Sequence, residues 1–523
     1  MQRHREIVND IAASVRALFD RGEPYRIAHG STNSTRPRPG RAQAAFVDIS
    51  ALSHVVAVDA AARTALVEAN VPMDRLVEAT LRHGLVPPVV MEFPGITAGG
   101  GFAGTAGESS SFRHGFFDEC VNFVEMVLGN GDVVRAAPDE RPDLFRGAAG
   151  ALGTLGIVTM MELRLVEAKR WVKTTYHRTT AVAHTLAKLR AETGDPANHY
   201  VDGILFSPNH GVVVSGSMTD DKPADVAPQT FSRAKDPWFY LHARAKTEHP
   251  STTATDYIPL AEYLFRYDRG GFWVGEGAFS IFKLPFNRFF RWLLDDLLHT
   301  RMLYRARHAS GTASSSFVIQ DLALPYATAG EFVDYTASNF GIWPLWLCPL
   351  KHTLLPTFHP NTASTCTGSY STAAPSPTAA PDQVVSIGLW GWGPLEHDAF
   401  VAANRALENK LAQLGGRKWL YAQTFYSEDE FWGVYAGFRG LYTALREKYH
   451  ATTLPTMYDK VCPEARRQPR RRSPAWLAIT RPVKGVYGIW KGILSGDHKM
   501  HRNAEWKYVA DSSPRGAEKA HQA

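Results

Sequence analysis

Gly95-Ile-Thr-Ala-Gly-Gly-Gly-Phe-Ala-Gly-Thr-Ala-Gly-Glu-Ser-Ser-Ser111 holds six glycines in its first thirteen residues. Gly99, Gly101 and Gly104 satisfy the dinucleotide spacing G-x-G-x-x-G. That spacing carries weight only between a buried strand and an amphipathic helix. Here Phe93-Pro94-Gly95 precedes it, and Thr105–Ser111 follows without apolar periodicity. A doubly wound nucleotide fold is therefore disfavoured. The better reading is a backbone cradle, in which glycines let main-chain N–H groups converge on a pyrophosphate with no Cβ in the way. Serine and threonine hydroxyls add short donors. A plain Gly-rich surface loop has the same composition.

Two further segments support the cradle. His29-Gly30-Ser31-Thr32-Asn33-Ser34-Thr35 is a tight small-residue turn after a strand-like start. Gly150-Ala-Leu-Gly-Thr-Leu-Gly156 runs into Ile157-Val158-Thr159. Each alone also fits an ordinary turn; the three in this order are more specific. Around them, short β-rich runs (Ala45–Ile49, His54–Val58, Thr64–Glu68) alternate with loops, and a helix is predicted from Met73 to His83, closed by Gly84. Val124–Leu128, Asn130-Gly131 and Val133-Val134 predict a hairpin with a type I′ turn.

The order of a small-residue loop, a helix, a long Gly/Ser loop and a G-x-x-G-I-V strand resembles the FAD domain of the vanillyl-alcohol-oxidase/p-cresol-methylhydroxylase fold. The implied fold class is α+β, with an FAD-binding PCMH-type domain and a mixed α/β substrate domain. In that family the first two loops hold the FAD diphosphate and the last segment lies by the adenine. Carried onto this chain, the contacts are Gly30, Ser31, Thr32, Asn33 and Ser34 in the first loop. In the second they are Thr97, Ala98, Gly99, Gly100, Gly101, Phe102, Ala103, Gly104, Thr105, Ala106, Gly107, Glu108 and Ser109, and in the third Gly156, Ile157 and Val158. Some members link FAD covalently through a histidine in the first loop. Thr32 or Asn33 stands near that place and His29 lies earlier, so non-covalent FAD is expected.

The resemblance narrows to the Δ24-sterol reductases. It is carried by Thr105-Ala-Gly-Glu-Ser-Ser-Ser111 with His114-Gly115-Phe116-Phe117, by Pro237-Trp238-Phe239, Asp256-Tyr257-Ile258-Pro259, Trp343-Pro-Leu-Trp-Leu-Cys-Pro349, Glu430-Phe431-Trp432 and Tyr458-Asp459-Lys460-Val461-Cys462. It implies NADPH as a transient electron donor and a sterol or other apolar substrate. Family members with a membrane anchor carry it ahead of the helix that opens this chain. Residues 361–382, rich in Ser, Thr, Ala and Pro, look like a mobile insertion.

Reducing an alkene needs a proton donor opposite the hydride. Candidates are Tyr421 and Tyr426, in a segment that in this fold runs back towards the flavin, and Asp321, after a strand-like run. Packing or capping is the alternative for each. An oxidase of alcohols or sugars on the same fold, or a non-enzymatic lipid-binding member, are the competing functions.

Bulk properties agree. The 523 residues suit several domains. Ile7, Ile11, Val15 and Leu18 mark an amphipathic helix over residues 1–22. The expected division is then 23–168 for FAD, 169–462 for substrate and a basic, partly disordered tail over 463–523. The four cysteines show no metal-type spacing, and no metal is expected. The longest apolar run, Phe340–Leu350, is about half the roughly 20 residues that a spanning helix needs. The net charge of +6 is local, because residues 466–499 hold nine Lys/Arg against Asp497 alone. That excludes a nucleic-acid-binding body and suggests reversible membrane contact through the tail. A cytoplasmic chain, peripheral at the endoplasmic reticulum membrane, is the expected location.

Overall fold

The structure, a computed structural model, describes residues 1–30, 34–36, 45–249, 253–310, 316–353, 357–360, 383–462 and 481–509. The insertion expected over 361–382 and the arginine run 466–472 lie outside them.

Strands β1 (Tyr25–Ala28) and β2 (Ala45–Asp48) pair in parallel. Next come β3 (Val55–Asp59), β4 (Thr64–Glu68), β5 (Leu85–Val86), β6 (Val121–Val127), β7 (Val133–Ala136), β8 (Ile157–Arg164) and β9 (Val166–Glu167). Five of these form an antiparallel sheet in the order β3-β4-β8-β6-β7. The second half supplies β10 (Trp171–Thr179), β11 (Tyr200–Ser207), β12 (His210–Thr219), β13 (Thr253–Pro259), β14 (Phe317–Pro325), β15 (Leu345–Leu350), β16 (Val384–Trp392) and β17 (Arg417–Lys418). These build one eight-stranded antiparallel sheet, β13-β10-β12-β11-β15-β16-β14-β17. This is an α+β, two-domain fold. The antiparallel pairing around the Gly-rich stretch leaves no βαβ unit for a doubly wound reading.

Several local expectations need revision. The β6–β7 connection is not a type I′ turn: of its residues only Gly131 has positive φ, +86°, and its N–H donates to Leu128 O at 2.9 Å. Leu128 N–H reaches Asp132 O at 2.8 Å, so a three-residue loop ends on a left-handed glycine. The opening helix, Gln2–Asp20, buries His4, Val8, Ile11, Val15 and Leu18, with Ile7 only packed beside them. His4 explains the shift, because its ring lies 3.0 Å from Glu68 and 2.8 Å from Glu125 and ties the helix to the five-stranded sheet. The helices Glu428–Val434 and Ala436–Lys448 are separated at Tyr435, whose φ −110° and ψ 25° leave the helical basin.

Residues 481–509 of the tail pack on the body, with helices at Arg481–Ser495 and Asp497–Met500 and a 3-10 turn at His501–Asn503. The helix Arg481–Ser495 lies against the helix Thr300–Ala309. Gly488 and Gly492 face it, since an added Cβ would sit 2.3 Å from Ala306 O and 2.5 Å from Met302 Cε. Backbone N–H groups of Glu505 and Trp506 donate to Glu78 at 2.7 and 3.3 Å.

Candidate functional site

A cavity of about 600 Å³ runs from the first sheet system to the face of the eight-stranded sheet. Strand alternation sets its far wall. In β14, Ile319 and Asp321 face the cavity, while Leu322 joins a second apolar core with Leu345, Leu347, Ile387 and Leu389. Trp346, Ser386 and Trp390 line the same wall. Gly388 stands between Asp321 and Trp346 in the register, and the Trp390 ring fills the place of its missing side chain, 2.5 Å from where a Cβ would sit.

The near wall comes from the three small-residue segments. Gly30 and Ser34 line the cavity, beside His29 and Arg36; Ser31, Thr32 and Asn33 lie outside the described residues. The long stretch is not an extended loop, because Ala98–Gly104 is helical and Thr97 Oγ1 caps it by accepting from Gly100 N at 3.1 Å. The helix divides the stretch. Thr97, Gly99, Gly100, Ala103, Gly104, Ala106, Gly107 and Glu108 line the cavity. Ala98, Gly101 and Phe102 face the core instead, where a Cβ on Gly101 would sit 2.5 Å from Met91 Cε. Thr105 is buried, with Trp419 Nε1 donating to its carbonyl at 2.8 Å. Ser109 is buried off the lining, and Val201 N donates to its carbonyl at 2.8 Å. In the third segment Gly156 and Val158 line the cavity and Ile157, on the other face of β8, is core.

The residues fit FAD on one physical ground in particular. Gly104 lines the cavity, its φ is not positive, and a Cβ added there meets no protein atom within 4 Å. A side chain at Gly104 would enter the space a ligand needs.

Of the proton-donor candidates, the structure brings Asp321 and Tyr421 together. Tyr421 OH donates to Asp321 Oδ2. Ser34 Oγ at 2.9 Å and Thr35 N at 3.2 Å both donate to Tyr421 O, which joins the first loop to this pair. Burial pushes the Asp321 carboxyl up to about 6, against the opposing bonds from Tyr421 and Trp390. Burial and then Asp321 hold the Tyr421 phenol well above its usual value. Tyr426 is elsewhere: it is buried in the core, and Tyr458 OH donates to its carbonyl at 3.4 Å.

Sequence reasoning missed part of the site. Glu92 lines the cavity, and Arg266 Nη2 lies 2.9 Å from it and 3.0 Å from Asp202. Burial pushes Glu92 up to about 8, with Arg266 pulling the other way. Glu108 is raised well above the carboxylate range by burial and then by Glu92 and Asp321. Phe272 and Tyr304 also line the cavity, as do Arg26 and Lys460 at the other end. The usable signal was a lone charge in an apolar run, Glu92 after Val89-Val90-Met91; Lys460, next to Asp459, carried no such signal. Among the described residues, Asp295, His299 and His501 form a group of metal-ligand type outside this cavity. Arg269 Nε at 2.7 Å engages Asp295, Lys507 Nζ at 3.2 Å engages His501, and the imidazoles stack 3.7 Å apart.

Comparison with known proteins agrees with this geometry. Residues 6–137 match the FAD binding domain family. The human Delta(24)-sterol reductase is 28% identical over 473 residues, covering 88% of this chain and 87% of its own. The chain is a relative of the Δ24-sterol reductases. The Arabidopsis thaliana member is 27% identical over 446 residues, covering 80% of this chain and 77% of its own. Rice cytokinin dehydrogenase 4 is 28% identical over 235 residues, covering 42% of this chain and 44% of its own. An FAD-dependent oxidoreductase on this fold is thereby supported from sequence and structure alike.

Proposed function

We propose that this chain reduces a side-chain double bond of a sterol with FAD, drawing electrons from NADPH. The observation that carries the reading is a single cavity lined both by the Gly/Ser segments and by the buried Asp321–Tyr421 pair under aromatic rings. An isolated trisubstituted alkene needs a hydride at one carbon and a proton at the other. Bound FAD supplies the hydride. The chain's own side chains do the rest. Asp321 and Tyr421 hold a transferable proton against the far alkene carbon. Trp346 and Trp390, with ring centroids 5.9 Å apart, and Phe272, 4.5 Å from Trp390, exclude water and match an apolar ligand. Gly30, Ser34, Thr97, Gly100 and Gly104 hold the cofactor non-covalently, and NADPH binds transiently at the same cavity. Residues 23–168 serve FAD and 169–462 serve substrate. The test is anaerobic incubation with NADPH and a desmosterol-like sterol. A product heavier by one dihydrogen in mass spectrometry is expected. Flavin reduction by a sugar or alcohol, with oxygen consumption and no sterol product, would replace this reading with the oxidase.

We further propose that the tail meets the membrane from the cytoplasmic side of the endoplasmic reticulum. No helix among the described residues is long and apolar enough to span a bilayer. The helix Arg481–Ser495 is inside out: glycines face the body, while Val486, Tyr487, Trp490, Ile493 and Leu494 point outward. Trp490 is 51% and Leu494 63% exposed. Lys484 and Lys491 accompany this stripe. Aromatic and basic residues on one exposed face suit an anionic membrane interface. Truncating the tail would also strip Trp506 from Glu78 and Phe265, so outward point changes are the cleaner test. Tyr487→Ser, Trp490→Ser and Leu494→Ser together are expected to abolish salt-sensitive co-sedimentation with vesicles containing anionic phospholipid. Unchanged sedimentation of that variant would remove the role.

A further inference from the structure

One end of the cavity gathers three cations that the proposed reaction does not use: Arg26 on β1, Arg36 after the first loop, and Lys460 in the helix Met457–Val461. They come from three separate parts of the chain. We infer that Lys460, with Arg36 and Arg26, forms a seat for the diphosphate of a dinucleotide, placed where the first and third small-residue turns meet. The inference rests on the FAD reading and adds to it residues that lie outside the three glycine-rich segments.

The placement is specific. Lys460 Nζ donates to Leu152 O, in the third turn, and a Cβ on Gly153 would lie 3.6 Å from the same nitrogen. Arg36 Nε donates to Ser34 Oγ at 2.9 Å, in the first loop. Among the described residues no carboxylate lies within ion-pair distance of Lys460, and the charged groups acting on it are Arg36 and Arg26, both cations. Asp459 acts on Arg26, but its Oδ2 accepts from Thr456 N at 3.1 Å as the cap of its own helix. Burying an ammonium beside two guanidinium groups is unfavourable unless an anion joins them. A diphosphate has the charge, and its oxygens can accept from all three side chains.

A proton linkage follows. Burial, then Arg36 and Arg26, push the Lys460 ammonium down to about 7. An anion in the seat favours the charged form and raises that value. At pH 8 the empty site therefore holds Lys460 largely neutral and the filled site holds it charged. Binding takes up a proton, and affinity falls as pH rises above about 7.

The experiment uses the full chain stripped of flavin, titrated calorimetrically with FAD and with riboflavin, which lacks phosphates, in buffers of different ionisation enthalpy at pH 6 and pH 8. Proton uptake with FAD at pH 8, absent at pH 6 and absent with riboflavin, is expected. Lys460→Met should weaken FAD at least about tenfold and leave riboflavin unchanged. Lys460→Arg should keep the affinity and lose the pH dependence, because a guanidinium stays charged. FAD binding that is tight, pH-insensitive and unaltered in Lys460→Met would overturn the seat while leaving the FAD reading intact. A chain that binds no flavin at all would instead sink the FAD reading. Should Lys460→Met raise KM for NADPH without affecting FAD retention, the seat belongs to the nicotinamide dinucleotide and the inference for FAD is wrong.

Discussion

Asp321→Asn is expected to slow sterol reduction by about 10²–10⁴-fold, the usual worth of a positioned proton donor, while flavin reduction by NADPH proceeds normally. Asparagine keeps the volume, and its carbonyl can still accept from Tyr421 OH, so the wall of the cavity should survive. The pH profile supplies an independent readout. Burial holds the Asp321 carboxyl at about 6. Its acid form is full below that value and declines above it, so the wild-type rate of alkene protonation should fall as pH rises through about 6. The Asn variant should be flat over the same range. Equal sterol turnover in the two proteins would move the proton to another group, and Glu108, which lines the cavity and whose carboxyl burial raises well above its usual value, would be the next to test.

Gly104→Val should cost about 10²-fold in FAD affinity without unfolding the chain. The expected cause differs from the one glycine usually suggests. Gly104 closes a helix with no positive φ, so backbone strain is not the mechanism. Its Cβ would enter the cavity with no protein atom within 4 Å. Overpacking of that kind against a bound ligand costs about 1–3 kcal/mol, up to about two decades in affinity. Gly99→Ala makes the contrast, because its Cβ would sit 2.8 Å from Ala69 O and should damage folding itself. Protein yield and thermal unfolding separate the two: a stable, colourless Gly104→Val protein is the expected result, and a stable yellow one would take the helix end out of the site.

These two variants also show what the sequence could and could not convey. The Gly/Ser stretch was legible as a cradle, but glycine serves two purposes within it. Gly104 is bare for the ligand, whereas Gly101 is bare for Met91 and Phe117. Composition alone does not separate them. The short helix Ala98–Gly104 was not legible either, since seven residues of Ala, Gly and one Phe offer no apolar period. Tyr421 and Tyr426 sit in one irregular segment with no alternation to say which faces inward, and only Tyr421 reaches the cavity. Strand alternation did bear on Asp321, because β14 turns Ile319 and Asp321 one way and Leu322 the other. The basic tail was visible, yet the sense of its helix was set by Gly485, Gly488 and Gly492 at helical spacing, which place the large side chains outside.

Electrons pass through one cavity in one direction, and anaerobic absorbance spectroscopy of the purified holoprotein measures that direction most directly. NADPH should bleach the flavin, and a desmosterol-like sterol added afterwards should restore the oxidised spectrum in the absence of oxygen. Simple alcohols and sugars should leave the oxidised flavin untouched. A reduced flavin that ignores the sterol, together with bleaching by an alcohol or sugar and peroxide on admitting air, would contradict that direction.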